Sequence, residues 1–216
     1  MQITIREPGS AITHFIAMMM AIVAATPLMV KTATDADRTA FIAMAVFICS
    51  MVALYGASAL YHSVTVKDSI LKIFRKLDHM MIFVLIAGSY TPVCLIVLGN
   101  RLGYTLLAAV WGIAIVGMVI NICWITCPKW FSSLLYIAMG WACLAVFGTL
   151  WNTLSRNAFL WLLAGGIVYT IGGVIYALKL PIFNAKHKNF GSHEIFHLFV
   201  MGGSFCHFLF MYFYVI

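Results

Sequence analysis

Seven runs of roughly twenty mostly apolar residues, separated by short polar breaks, leave this 216-residue chain few folds to choose from. The hydrocarbon core of a bilayer is about 30 Å thick, and an α-helix needs about 20 residues to cross it. The runs cover residues 11–30, 40–61, 77–98, 103–125, 134–150, 159–180 and 195–216. With 64% hydrophobic and 9% charged residues, the chain could not cover a water-soluble core with polar surface. The reading is an all-α integral membrane protein, a seven-transmembrane-helix bundle forming a single domain over residues 1–216. The connectors leave no room for a soluble domain, and no internal repeat is evident. Residues 11–30 read as a span rather than a signal peptide, because the run exceeds the usual apolar core of such peptides and only Arg6, offset by Glu7, precedes it.

Lysine and arginine set the expected orientation. The side shared by the N-terminus and the second, fourth and sixth loops carries nine: Arg6, Lys67, Lys72, Arg75, Lys76, Lys129, Lys179, Lys186 and Lys188. The other side carries four: Lys31, Arg38, Arg101 and Arg156. This asymmetry predicts a cytoplasmic N-terminus and an outside C-terminus in a multi-pass protein of the cell membrane. The net charge of +7 then reads as topology signal and attraction to anionic lipid, not as a nucleic-acid surface.

Against this background the polar residues inside the runs carry the information, because ionisable groups at membrane depth are expensive to keep there. Ser58 and His62 stand four apart, as do His193 and His197, so each pair shares one helix face. The predicted topology puts His62 at the end of the second helix, Asp78 at the start of the third and the His193/His197 pair at the start of the seventh, all at one depth. Three neutral imidazoles with one open position make a typical catalytic zinc site, in which the metal lowers the pKa of its water to about 7. Asp78 is expected to hold that water and carry its proton, and Ser58 to hydrogen-bond the reacting group. Each residue also has a plainer reading. A histidine at a helix end can be an interfacial anchor, and Asp78, following Arg75 and Lys76, can cap its helix and pair with its neighbours.

Ser58-x-x-x-His62, Lys76-Leu77-Asp78 and Ser192-His193-x-x-x-His197, with Ala87-Gly88-Ser89-Tyr90-Thr91-Pro92, Ala138-Met139-Gly140-Trp141 and Gly202-Gly203-Ser204-x-Cys206-His207-Phe208, resemble the hemolysin III proteins over essentially the whole chain. These are the bacterial branch of the progestin and adipoQ receptor family, which includes the adiponectin receptors. The resemblance implies a seven-helix bundle with a cytoplasmic N-terminus, zinc (Zn2+) bound by His62, His193 and His197, and Asp78 close to a zinc-bound water. Through a wider superfamily that reaches the alkaline ceramidases, it also implies hydrolysis of a lipid amide, an inference by analogy of fold and ligands.

His193-Glu194-x-x-His197 also matches the zincin pattern, whose Glu is a general base in metalloproteases. No later third ligand suits a protease, and Glu194 is equally explained as an acid in the first turn of a helix. The remaining histidines rank lower. His14 is expected just inside the first span, with Glu7 and Ser10 capping that helix. His79 turns about 100° away from Asp78. His187 is expected in a solvated loop. His207 lies about 15 Å along the helix from His197, too far to share its metal, and is expected to bond another helix from the bundle interior. The six cysteines Cys49, Cys94, Cys123, Cys127, Cys143 and Cys206 read as packing residues. Gly165, Gly166, Gly172, Gly173, Gly202 and Gly203 suggest close helix packing or a homodimer face.

Three functions of different class follow. The first is a zinc-dependent hydrolase acting on a lipid amide or ester that enters from the membrane. The second is a cytolytic or pore-forming protein, as the resemblance's family name suggests, although no amphipathic segment for inserting into a foreign membrane is evident. The third is a non-enzymatic regulator of membrane state in which zinc is structural.

Overall fold

The computed structural model describes residues 5–124, 129–178 and 190–216. Among the described residues there are no strands, and seven helices are long and apolar enough to cross a membrane. These are α1 (Pro8–Asp35), α2 (Arg38–Ser63), α3 (Asp68–Leu98), α4 (Arg101–Cys123), α5 (Trp130–Thr153), α6 (Arg156–Leu178) and α7 (Ser192–Val215). Their outward faces are apolar, with Val23, Val116, Trp151 and Phe205 all more than half exposed. A surface of that kind suits lipid rather than water, so the chain is a multi-pass membrane protein. Lys179, Lys186, Lys188, His187 and Cys127 lie outside the described residues, so the expectations for them do too.

Local chemistry explains the helix ends. Asp37 caps α2 by accepting from the backbone N–H of Ala40 at 2.8 Å, and Asn100 caps α4 by accepting from Leu102 and Gly103 at 3.0 and 3.1 Å. Between α3 and α4, Gly99 takes the left-handed φ of 54° that a residue without a Cβ adopts freely, and its N–H reaches the Cys94 carbonyl. Pro92 brings no backbone donor to α3, and the helix widens into a π-helical stretch over Val93–Leu98. In α5 the helix tightens over Trp141–Val146.

The third helix corrects the sequence reading. It begins at Asp68, not at residue 77, because hydropathy registers lipid exposure while Lys72, Arg75, Lys76 and Leu71 are good helix formers in any solvent. Asp78 therefore lies ten residues inside α3, about 15 Å along it, and the capping reading for Asp78 fails.

The helices pack as a ring in which α1 meets α2, α2 meets α3, α3 meets α4 and α5, α5 meets α6, α6 meets α7, and α7 closes back on α1. Glycines set the α6–α7 approach. A Cβ at Gly165 would run into the His207 ring, one at Gly172 would meet the Phe199 Cβ at 2.6 Å, and one at Gly203 would meet the Tyr169 ring at 2.7 Å. The expected close packing is thus observed between α6 and α7, and it holds the start of α7 firmly against its neighbours.

Candidate metal centre

His62 is the penultimate residue of α2, and His193 and His197 occupy the first two turns of α7, as the sequence predicts. One ring nitrogen from each of the three lies within 4.8 Å of the others. The Nε2 atoms of His62 and His193 face each other at 3.2 Å. Tetrahedral coordination with metal–nitrogen bonds of 2.0–2.1 Å would set ligand nitrogens about 3.3 Å apart, so the His62–His193 pair has the spacing, and the three imidazoles the chemistry, that a zinc-like ion takes. Among the described residues this is the one such group.

The outer nitrogens are held as well. His62 Nδ1 donates to the Glu7 carboxylate, which leaves Nε2 to face inward as a lone pair. Thr13 Oγ1, which lies 3.0 Å from the carbonyls of Gly9 and Ser10, is also 3.1 Å from His197 Nδ1. This contact engages Nδ1 and leaves Nε2 for a metal. The His14 ring stacks on that of His197 with centroids 3.5 Å apart, and neither His14 nitrogen has a hydrogen-bond partner.

All of these outer contacts come from α1, where sequence reasoning saw little. Glu7 precedes the helix but makes no capping hydrogen bond; it serves His62 instead. Ser10 donates to Glu194 across the bundle rather than capping α1. His14, ranked among the lesser histidines, is 3% exposed and belongs to the cluster's wall. The signal was present as a polar face, Glu7, Ser10 and His14 at spacings of three and four on an otherwise apolar helix.

Ser58 and Asp78 are both buried, and they interact across the α2–α3 contact. The Ser58 hydroxyl nevertheless has no partner in hydrogen-bonding geometry, an orphaned polar atom of the kind that a ligand or water satisfies. Both line a cavity of about 220 Å³ together with His14, His193 and His197, while His62 sits behind His193 and His197 with ring centroids 5.0 and 5.3 Å away. Asp78 stands outside the group of converging nitrogens, as an outer partner would. Away from the site the cavity wall is mostly apolar, with Leu54, Ile82, Leu85, Ile86, Trp141 and Val200.

Glu194 is engaged in hydrogen bonds away from the three ring nitrogens. Its Oε1 accepts from Ser10 and its Oε2 from the backbone N–H of Gly191 at 2.8 Å, so it ties the start of α7 to α1 and closes the first turn. This removes the general base that the zincin pattern requires. His207 behaves as expected, with Nε2 on the Leu162 carbonyl of α6 at 3.3 Å. His79 lies on the cavity wall, and its carbonyl accepts from Tyr136. The described cysteines are unpaired thiols.

Comparison with known proteins agrees with this architecture. The family model described as haemolysin-III related matches residues 2–208. Hemolysin-3 of Bacillus cereus is 38% identical over 210 residues, covering 97% of this chain and 92% of that protein. A hemolysin-3 homolog of Bacillus subtilis (strain 168) is 37% identical over 214 residues, covering 99% and 96%. Similarity extends more weakly to progestin and adipoQ receptor-like protein 1 of Caenorhabditis elegans, 26% identical over 227 residues, covering 94% of this chain and 50% of that protein. The chain, a seven-helix membrane protein with three converging histidines, belongs to the haemolysin-III related family.

Proposed function

We propose that the protein is a zinc-dependent hydrolase that cleaves an amide or ester bond of a membrane lipid, with its site at the cytoplasmic face. The observation that carries this reading is the convergence of three imidazoles, two with their outer nitrogens already committed, beside a largely apolar cavity that His193 and His197 line together with a buried carboxyl and an orphaned hydroxyl. Placement at the cytoplasmic face rests on the excess of lysine and arginine around that end of the bundle.

His62, His193 and His197 would hold the ion. When bound there, zinc supplies Lewis acidity that polarises a carbonyl and eases deprotonation of water. The remaining work falls to this chain's own groups. Asp78 takes the proton from the attacking water and returns it to the departing amine or alcohol. Ser58 directs a hydrogen bond from its hydroxyl to the carbonyl oxygen as negative charge develops there, and keeps its proton. The apolar wall from Leu54 to Trp141 receives the acyl chain and keeps bulk water from the reacting carbonyl.

Turnover of ceramides and other lipid amides by detergent-purified protein provides the test, with Asp78→Ala beside the wild type. The expected result is hydrolysis by the wild type and a fall of about 100-fold or more in the variant, with zinc retained. Absence of turnover across such a panel from a zinc-loaded wild type would overturn the hydrolase reading. A cytolytic reading draws on the names of the Bacillus relatives. It predicts cell lysis that osmotic protectants of increasing size suppress, which the hydrolase does not.

A further inference from the structure

The segment that enters α1 grips the end of α2 more tightly than a chain terminus needs. The Glu7 N–H donates to the His62 carbonyl at 3.0 Å, the Arg6 guanidinium donates to the Tyr61 carbonyl at 3.0 Å, and the same guanidinium sits 4.3 Å from the centre of the Tyr61 ring. These contacts fix the segment in place. A further contact has a different character: the Glu7 carboxylate, 45% exposed, is directed onto Nδ1 of His62, which is only 2% exposed. Two turns later, Thr13 Oγ1 makes a hydrogen bond of 3.1 Å with His197 Nδ1. Between them, Ser10 binds Glu194, the residue next to His193. One face of one helix thus touches the outer nitrogens of two of the three histidines and the residue beside the third.

We infer that α1 is the positioning element of the metal centre, with Glu7 as its principal positioning residue acting through His62 and Thr13 as a weaker one acting through His197. The inference rests on the zinc reading above and goes beyond it by assigning roles to residues outside the ligand set. A carboxylate that receives the Nδ1 proton of a liganding histidine fixes its tautomer and ring orientation and raises the basicity of Nε2, and loss of such a partner typically weakens metal binding 10- to 100-fold. Thr13 orients the His197 ring through Nδ1 but carries no charge, so its effect is smaller.

Zinc affinity measured by chelator competition on the full-length protein in detergent, with helicity and monodispersity checked for each variant, tests the assignment. Glu7→Ala is expected to weaken zinc binding by about 10-fold or more while still reaching the wild-type stoichiometry at saturating zinc. Glu7→Gln, which keeps an acceptor oxygen and the shape but no charge, is expected to fall between wild type and Glu7→Ala, and Thr13→Val to lose about 3-fold. Arg6→Ala removes the Tyr61 contacts and the guanidinium 3.4 Å from Glu7, yet leaves the carboxylate on His62. It is expected to stay within 3-fold of wild type, which separates positioning from mere anchoring of the segment. With cobalt(II) in place of zinc, the visible absorption should shift in Glu7→Gln and not in Arg6→Ala. Equal affinity in wild type, Glu7→Ala and Glu7→Gln would overturn this inference alone. A wild type that takes up no zinc would overturn the metal reading and this inference with it.

Discussion

His197 and His207 stand ten residues apart on α7 and both line the same cavity, yet their hydrogen-bond partners differ in kind. Around His207 the polar groups pair with one another, save its own Nδ1, which has no hydrogen-bond partner. Its Nε2 meets the Leu162 carbonyl, and nearby the Tyr55 and Tyr169 hydroxyls meet the Ser204 hydroxyl at 2.5 and 2.7 Å. Around His197 the partners are all on the outside. Thr13 holds Nδ1, Glu7 holds the equivalent atom of His62, and the inward nitrogens converge on each other and on a cavity. Buried polar groups that pair off contribute to helix packing, while groups held by their outer atoms with inner atoms converging are arranged for a ligand. In a bilayer the distinction is sharp, because hydrocarbon offers no substitute partner.

The contrast can be broken most decisively by exchanging the two histidines' fates. His197→Ala should abolish stabilisation by zinc, which for a single site amounts to about 4 kcal/mol at a free concentration 1,000 times the Kd. His207→Ala should leave that zinc-dependent shift in thermal unfolding unchanged. Loss of the shift in the His207 variant would mean that the two regions are one system.

The next largest effect belongs to the packing region. In Gly203→Val the new side chain would push into the Tyr169 ring, at a cost of about 1–3 kcal/mol typical of overpacking. Zinc content per folded chain should not change, which elemental analysis of the folded fraction checks.

Two serines sharpen the comparison further. Ser204→Ala removes the partner of the Tyr169 hydroxyl and leaves the Tyr55 hydroxyl only the Val200 carbonyl, and should cost about 1 kcal/mol, the scale of interhelical hydrogen bonds in membranes. Ser58→Ala loses only the interaction with Asp78, outside good hydrogen-bonding geometry, and should cost less than Ser204→Ala, about 0.5 kcal/mol. Unfolding midpoints of the two variants in the same detergent decide this, and a larger loss at Ser58 would show it to be a packing residue.

What the chain reveals of these two regions before folding follows from the range of the interactions involved. The seven spans are legible because burial in lipid is written residue by residue into hydropathy. The start of α3 is not, since the stretch from Asp68 to Lys76 is helical without being apolar. The pairs Ser58/His62 and His193/His197 can be read because four-residue spacing on a helix is local geometry. Glu7, Ser10 and His14 cannot be assigned the same way. From sequence the nearest use for Glu7 and Ser10 is to cap their own helix, and only the docking of α1 against α2 and α7 sends Glu7 to His62 and Ser10 to Glu194. The α6–α7 glycines show the converse, since their spacing predicts close contact and the contact is observed, while the choice of Tyr169 and His207 as the groups they admit is made by tertiary packing.

The central claim is that the inner faces of His62, His193 and His197 form a metal site, and the metal content of the purified protein tests it most directly. Elemental analysis of the wild type beside the His193→Ala/His197→Ala double variant should find about one zinc per chain in the first and none in a still-folded second. A wild type without metal after zinc is supplied, or a double variant that keeps it, would contradict the account.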